Sequence, residues 1–453
     1  MIAALTNLQR KAVRNILRDG TLLAGVQVSE IGMVAGRTLM LGALGERQLA
    51  AGALVQGIYT AVALTAAGVL QAVPAMAAMN LGAERAREQL AVLVNGIAIA
   101  IVLSIVGSAI LLSMPMLFRW TSQPKEVVLE ASSYVGAIWP ALAAGLIAAT
   151  LYGYGTALGR GKRLLAISTG VTLSSIPLTG FLALPWGLDL GVEGVGYAAV
   201  ISSATLALCF GLAMRDNFPD FRSVPRASAT FAGKMMKLGL PFGLIFLSEM
   251  SFLYVVTLLM GTMGEDELAA HAVVIQWVTL LLVFPVGFSQ AAAVLVSRAV
   301  GQRDVDAVGC TGWTAAVAIS VILTVQAFCM FLFPLEMAGI FMSASSSPHV
   351  AGLVSDYMRL AALAQFANGV VIVLAGALRG LQEVRGPLVG AIFVYWGAGL
   401  PAATVLAFGL DLGGHGLWIG MNVGFVLAAA ILLRKFAQYP ELFHRLSVRG
   451  EVR

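Results

Sequence analysis

The sequence carries little charge for its length. Only 11% of its 453 residues are Asp, Glu, Lys or Arg, whereas 59% are hydrophobic. A soluble domain has about a quarter of its residues charged, so this composition excludes an ordinary soluble globular protein. Cysteine is also scarce. Cys209, Cys310 and Cys329 lack the spacing of metal ligands, and we interpret them as small apolar packing residues.

Several sequence signatures of catalysis and of nucleic-acid binding are missing. We find no nucleotide-binding P-loop, no HExxH motif and no paired Asp-rich metal motif. Basic residues do not alternate with aromatic ones, so the net charge of +5 does not indicate nucleic-acid binding. The sequence therefore predicts neither an enzyme nor a nucleic-acid-binding protein, and it predicts no cofactor.

Long apolar runs dominate the chain. Backbone amides inside a bilayer must be hydrogen-bonded within the protein, so only helices or a closed barrel can span it. The runs reach the ~20 residues that a spanning helix needs and show no two-residue alternation, which favours helices. The twelve predicted spans are 21–43, 50–78, 91–117, 132–157, 164–187, 193–214, 237–262, 268–297, 309–334, 350–378, 387–410 and 414–436.

The distribution of Lys and Arg predicts the orientation of the chain. Most of the 28 basic residues lie at the ends of spans that face the same side as the N-terminus. Because basic loops stay in the cytoplasm, both termini are expected there, and a bacterial inner membrane is the simplest location. The predicted segments are a cytoplasmic amphipathic helix (1–20), an N-terminal six-helix lobe (21–214), a cytoplasmic linker (215–236), a C-terminal six-helix lobe (237–436) and a cytoplasmic tail (437–453).

The two halves repeat each other. The sequence LGALGERQLAAGALVQG at 41–57 matches MGTMGEDELAAHAVVIQ at 260–276, at an offset of 219. The same offset pairs Ser29-Glu30 with Ser248-Glu249 and predicts a buried carboxylate in each half. Six spans per half give both halves the same direction, so the axis relating them runs along the membrane normal. This arrangement is typical of a transporter with a central cleft.

Particular blocks identify a family. They are VPAMAAMNLGA, LGVEGVGYAAVIS, MGEDELAAHAVVIQ, FPVGFSQAAAVLVSRAVGQRD, AGALRG, YWGAGLP and GGHGLWIG. In this order along nearly the whole chain, they resemble the MATE family of multidrug and toxic compound extrusion transporters, and the last two resemble its NorM branch. The resemblance implies an all-α membrane protein with twelve helices in two pseudo-symmetric six-helix lobes around a central cleft. It also implies a monomer in the lipid bilayer that exports small organic drugs in exchange for Na⁺ or H⁺.

The resemblance assigns a cation-binding role to Glu249. A lone carboxylate in hydrocarbon is costly, so it must face a cavity, bind a cation or carry a proton. The alternative is a structural glutamate hydrogen-bonded between helices. This sequence departs from the family at two positions: Arg37 and Asn368 stand where the family and its NorM branch, respectively, place Asp. The acids that would partner Glu249 are thus missing.

Glu30 is a candidate to compensate for these missing acids. It precedes Arg37 by two helical turns on one face, about 10 Å along the axis, so a direct salt bridge would be stretched. One interpretation is a buried electrostatic pair that orients the first span. In the other, Glu30 joins or relays protons with Glu249, while Arg37 adds positive charge to the cleft and favours zwitterionic or anionic substrates.

Further candidates come from polar, sulfur-containing and proline residues within spans. The candidate cleft residues, besides Arg37, are Met33, Ser175, Thr179 and Gln276. The candidate kinks, which are either static or hinges of alternating access, are Pro140, Pro177, Pro285 and Pro401.

We therefore expect a secondary antiporter that exports amphiphilic organic compounds in exchange for H⁺ or Na⁺. One proton can neutralise one carboxylate, which favours H⁺, although Na⁺ at Glu249 remains an alternative. Two other functions stay open: a flippase for a lipid-linked substrate on a related fold, and a transport-inactive relative that acts as a sensor or scaffold.

Overall fold

The computed structural model describes residues 2–120, 124–217, 225–342 and 347–448. They form helices, apart from short connections and a 3₁₀ turn at Arg215–Asn217. The α-helices are α1 (Ile2–Leu44), α2 (Glu46–Leu70), α3 (Ala72–Gly82), α4 (Ala86–Trp120), α5 (Lys125–Ala157), α6 (Gly161–Ala183), α7 (Gly191–Ala213), α8 (Ala229–Gly261), α9 (Glu265–Leu281), α10 (Val283–Gly301), α11 (Val305–Leu332), α12 (Pro334–Ala338), α13 (Pro348–Gly380), α14 (Arg385–Ile392), α15 (Leu400–Thr404), α16 (Gly413–Ala437) and α17 (Tyr439–Val448).

The predicted all-helical membrane fold is confirmed. Eleven helical stretches in the described part of the chain are long and apolar enough to cross a bilayer, with α2–α3, α9–α10 and α14–α15 each counting as one. The twelfth span is the second half of α1, whose Glu30 and Arg37 lower its apolar character. The segment predicted as a separate helix at 1–20 is continuous with this span, because α1 runs from Ile2 to Leu44.

Unusual backbone conformations recur at equivalent places in the two halves. Gly45 and Gly264, the residues before α2 and α9, both have a φ of 139°. Glu84 and Arg303 have φ values of 58° and 59°, although side chains other than glycine disfavour this left-handed region. The repeat found in the sequence is therefore also a repeat of turn geometry.

Each half is built around one central helix. In the first half α5 packs against α2, α4 and α7. In the second half α13 packs against α10, α11 and α16. Small residues let these helices approach closely: a Cβ added to Gly196 would lie 2.6 Å from Ala137, and one added to Gly376 would lie 2.3 Å from the Ser289 carbonyl oxygen. Such packing supplies the association energy that the hydrophobic effect cannot provide in lipid.

Two helices end four residues before a proline. A proline lacks an N–H and clashes with the carbonyl four residues earlier. Accordingly, α2 ends at Leu70, four residues before Pro74, and α9 ends at Leu281, four residues before Pro285. Pro401 lies in α15, which is flanked by π-helical segments at Phe393–Gly399 and Val405–Gly409.

The chain forms two compact units. The N-lobe is Gly25–Gly243, and the C-lobe combines Met1–Ala24 with Leu244–Arg453. The start of α1 therefore belongs to the C-lobe, and the start of α8 belongs to the N-lobe. The boundary within α1, before Gly25, and the boundary within α8, before Leu244, are separated by the offset of the sequence repeat. These bounds differ from the predicted segments because α1 and α8 each continue through both units. Part of the predicted linker (218–224) and the end of the predicted tail (449–453) lie outside the described residues.

Candidate functional site

The C-lobe buries a carboxylate beside an amide. Glu249 on α8 is 8% exposed, and Asn368 on α13 is 5% exposed. The Asn368 Nδ2 donates to the Glu249 Oε1 at 3.4 Å. This distance is long for an N–H···O bond, so the amide stabilises the carboxylate weakly. The structure therefore brings together two of the three predicted coupling residues.

Other polar atoms near Asn368 on α13 lack partners. The Asn368 Oδ1 is buried without a hydrogen bond, and so are both amide atoms of Gln365, one helical turn earlier. Unsatisfied buried polar groups are costly, and their persistence points to a ligand or a bound water. Gln365 did not appear among the predicted residues, although its spacing from Asn368 already places it on the same helical face.

An aromatic cluster lies near the carboxylate. Tyr395 lies within electrostatic reach of Glu249. Its ring stacks on Phe252 at a centroid distance of 5.3 Å and meets the edge of Phe425 at 5.9 Å. These rings lower the local dielectric and strengthen any interaction that Glu249 makes. Sequence patterns did not reveal them, since aromatic residues in apolar spans are ordinary packing residues.

The serine before each glutamate joins two helices of its own unit. In the N-lobe, the Ser29 hydroxyl lies 3.2 Å from the Thr169 hydroxyl on α6. In the C-lobe, the Trp396 Nε1 donates to the Ser248 hydroxyl at 3.0 Å. The Ser-Glu pairs of the two halves are therefore held in similar ways.

The N-lobe places Glu30 and Arg37 in different environments. Glu30 on α1 has an exposed side chain, although many protein atoms lie around it, and its predicted role stays a prediction. Arg37, two turns further along, is only 9% exposed. Neither residue forms an ion pair within the described part of the chain. The two-turn separation is too long for a direct contact, and no side chain among the described residues is hydrogen-bonded to both.

The predicted cleft residues fall into two groups. Ser175 and Thr179 are buried on α6, and their hydroxyls donate to backbone carbonyls of the same helix at 2.8 and 2.6 Å. These hydroxyls already have an acceptor, so they gain less from a substrate than free donors would. Met33 on α1 is buried, whereas Gln276 on α9 is exposed.

The predicted kink prolines occupy three structural contexts. Pro140 and Pro177 lie inside α5 and α6, which continue past them. Pro285 lies in the first turn of α10, which is separated from α9 by the single residue Leu282. Pro401 adjoins π-helical segments, in which the bonding pattern shifts by one residue and accommodates the missing N–H.

A second polar cluster in the C-lobe is hydrogen-bonded in part, since the His271 Nδ1 and the Trp418 Nε1 are buried without a partner among the described residues. The Tyr357 hydroxyl donates to the Glu267 Oε2. The His271 Nε2 lies 3.1 Å from the Thr257 hydroxyl, and its ring packs against Trp418. These contacts join α8, α9, α13 and α16, which supports a packing role for His271.

The chemistry available at Glu249 is the reversible neutralisation of one negative charge. No group of three His, Cys, Asp or Glu side chains suited to a metal ion occurs among the described residues. A proton on Glu249 removes the charge directly. A Na⁺ ion would need further oxygens, for which the Asn368 and Gln365 carbonyl oxygens are the nearest unpartnered candidates on α13.

Comparisons with known proteins agree with this architecture. A family model described as MatE matches residues 23–180 and 241–405. The chain is 29% identical over 437 residues to the probable multidrug resistance protein NorM of Brucella suis, covering 93% of this chain and 92% of that one. It is 30% identical over 459 residues to the probable NorM protein of Mesorhizobium japonicum, covering 95% and 94%.

Solved structures show the same fold. A multidrug resistance MATE family transporter of the MOP superfamily, in an outward-facing conformation, matches with a TM-score of 0.88 at 20% identity over 97% of this chain and 98% of that one. A MOP superfamily transporter from Pyrococcus furiosus matches with a TM-score of 0.87 at 19% identity over 95% and 97%. Because the family model matches more than half of the sequence, the chain belongs to the MatE family, the multidrug and toxic compound extrusion transporters that its motifs resemble.

Proposed function

We propose that this protein is a secondary antiporter that exports amphiphilic organic compounds in exchange for an inward-moving cation, with Glu249 as the coupling residue. The observation that carries the proposal is the isolation of Glu249: it is buried, and its hydrogen bond to Asn368 is 3.4 Å long. Such a carboxylate gains more from a proton or cation than one already paired with Arg or Lys.

Coupling requires that the cation and the substrate favour different conformations. A ligand shifts a conformational equilibrium only by its difference in affinity for the two states. Neutralising Glu249 removes the cost of a buried charge and so stabilises whichever state holds the side chain in the driest surroundings. A proton is the favoured ion because one proton suffices for one carboxylate.

The substrate class and the orientation follow from the relatives and the charge distribution. The Brucella and Mesorhizobium relatives are named as multidrug resistance proteins. We extend that role to this chain and place it as a monomer in a bacterial inner membrane, with both termini in the cytoplasm. Export then moves compounds from the cytoplasm or inner leaflet to the outside.

Transport by purified protein in liposomes tests the proposal. A fluorescent dye is loaded on the cytoplasmic face, and an inward proton or Na⁺ gradient is imposed separately. We expect the proton gradient to drive dye efflux and Glu249→Gln to abolish it. The glutamine keeps the shape of the side chain but cannot be neutralised by a proton.

The matched control is Glu383→Gln, which removes an acid of the C-lobe that lies 3.8 Å from Lys435 and outside the site. It should transport as the native protein does. Equal efflux by the native protein and Glu249→Gln would assign Glu249 a structural role and refute the coupling proposal. Absence of efflux in the native protein under either gradient would refute the antiporter itself and leave the transport-inactive alternative.

A further inference from the structure

Arg37 is a buried cation without a protein partner. It lies on α1 in the N-lobe and keeps only 9% of its exposure. Its Nε has no hydrogen-bond acceptor, and no carboxylate pairs with its guanidinium in the described part of the chain. A guanidinium has five N–H donors, and proteins rarely bury one without acceptors.

Two tyrosines of the same lobe lie near the guanidinium of Arg37. Tyr59 on α2 and Tyr134 on α5 both lie within electrostatic reach of Arg37. The Tyr134 hydroxyl is fully buried and has no hydrogen-bond partner. Residues of three helices thus lie within electrostatic reach of one another, and no acceptor for the Arg37 Nε or the Tyr134 hydroxyl occurs among the described residues.

The nearest acid along α1 does not supply the missing acceptor. Glu30 precedes Arg37 by about 10 Å of helix rise and is exposed. Leaving a charge buried and unpaired is strongly unfavourable, typically by several kcal/mol. A site with this cost and these donors is complementary to an anionic group with at least two oxygens.

We propose that Arg37, with Tyr59 and Tyr134, binds the carboxylate or sulfonate group of the transported compound, so that the protein selects zwitterionic and anionic amphiphiles over purely cationic ones. That the bound compound is transported rests on the proposed function, whereas its binding can be measured without an ion gradient. A carboxylate or a sulfonate offers two oxygens that can accept parallel hydrogen bonds from a guanidinium, and a tyrosine hydroxyl can donate a further one.

A small part of two of the three side chains is exposed. Arg37 and Tyr59 each keep 9% of their exposure, whereas Tyr134 keeps none. In the proposal, the carboxylate meets Arg37 and Tyr59 at their exposed parts, and Tyr134 is the most deeply buried of the three donors. An extended apolar portion of the ligand would remain outside the donor set.

A matched pair of probes tests the charge preference. Naphthoate and naphthyl-trimethylammonium share an aromatic body and carry opposite charges. Their binding to detergent-purified protein is measured by equilibrium dialysis, with protein-free micelles subtracted. We expect the native protein to bind naphthoate more tightly. Arg37→Gln should weaken naphthoate binding by about 10- to 100-fold, since hydrogen bonds to charged groups contribute ~1.5–3 kcal/mol.

Three further variants separate a binding role from a structural one. Arg37→Lys keeps the charge without the fork and should retain part of the affinity. Tyr134→Phe should weaken naphthoate binding a few-fold and leave the cationic probe unaffected. Arg119→Gln, an exposed arginine of α4 in the same lobe, is the control and should bind as the native protein does.

Particular results would overturn the proposal. Equal naphthoate affinity in the native protein and Arg37→Gln would do so, as would a native preference for the cationic probe. If chloride alone displaces naphthoate at millimolar concentration, the site binds inorganic anions and the substrate assignment is wrong. Should Arg37→Gln fail to fold, the Arg37→Lys and Tyr134→Phe affinities decide, because a structural role predicts no change in either. Loss of transport in Glu249→Gln has no bearing on these affinities.

Discussion

At the same position in its first helix, each half of the molecule carries a Ser-Glu pair whose serine contacts a later helix, yet the two glutamates meet different surroundings. Glu249 of the C-lobe is buried against Asn368. Glu30 of the N-lobe is exposed, and the buried charge of that lobe is instead the positive charge of Arg37. The repeat thus preserved its backbone while the sign of the buried charge diverged.

The comparison suggests a division of roles between the lobes. A buried unpaired carboxylate attracts a cation, and a buried unpaired guanidinium attracts an anion. We infer that the C-lobe carries the coupling ion and the N-lobe selects the charge of the substrate. Three variant pairs, each with one member in either lobe, break or sharpen this comparison.

The largest effect should come from the two glutamates. Glu249→Gln should reduce gradient-driven dye efflux by at least about 100-fold, equivalent to ~2.7 kcal/mol, whereas Glu30→Gln should keep more than half of the native rate. The rates come from the same liposome assay. A large loss in Glu30→Gln would mean that both carboxylates take part in coupling and that the lobes do not divide the roles.

Next in size are two glycines of the central helices. A Cβ on Gly376 of α13 would lie 2.3 Å from the Ser289 carbonyl oxygen, whereas one on Gly145 of α5 would meet nothing within 4 Å. Gly376→Ala should therefore destabilise the protein by ~1–3 kcal/mol or more, and Gly145→Ala should leave its stability equal or raise it by up to ~1 kcal/mol. Thermal unfolding in detergent measures both. A tolerated Gly376→Ala would show that α10 and α13 pack less tightly than α5 and its neighbours.

The smallest effect concerns two tyrosines in the third turns of α13 and α5. Tyr357 donates to Glu267, whereas the buried Tyr134 hydroxyl has no partner. Tyr357→Phe leaves a carboxylate without its donor and should lower stability by ~1–3 kcal/mol. Tyr134→Phe removes an unsatisfied group and should be neutral or stabilising without ligand. If unfolding shows Tyr134→Phe to be the more damaging change, then Tyr134 has a structural partner and the anion site loses a donor.

Much of the fold could be predicted from the sequence because lipid leaves few options. Long apolar runs must be helices, and the offset repeat predicts two structurally equivalent halves, with which the equal φ values of Gly45 and Gly264 agree. The interruption at Pro74 was also predictable from its clash with Leu70, but it was not among the proposed kinks. The π-helical segments around Pro401 were not predictable, since they depend on how the helix accommodates a missing hydrogen bond.

The sites were harder to predict than the fold. Asn368 and Glu249 were expected together on the basis of the resemblance, and their side chains do meet. The exposure of Glu30 could not be predicted, because a carboxylate in an apolar run gives no sign of which helix face is covered. Tyr59 and Tyr134 lie on other helices than Arg37, so only the folded chain shows that both come within electrostatic reach of its charge.

The reciprocal contribution of α1 and α8 to the two units has a consequence for biogenesis. The N-lobe is complete only when the chain has been synthesised to Gly243, and residues up to Ala24 belong to a C-lobe that does not yet exist. We expect fragments divided within 218–224 to be degraded when expressed singly and to accumulate when co-expressed, which immunoblotting of membranes would show. The start of the first helix to leave the ribosome is therefore among the last segments to find its final neighbours.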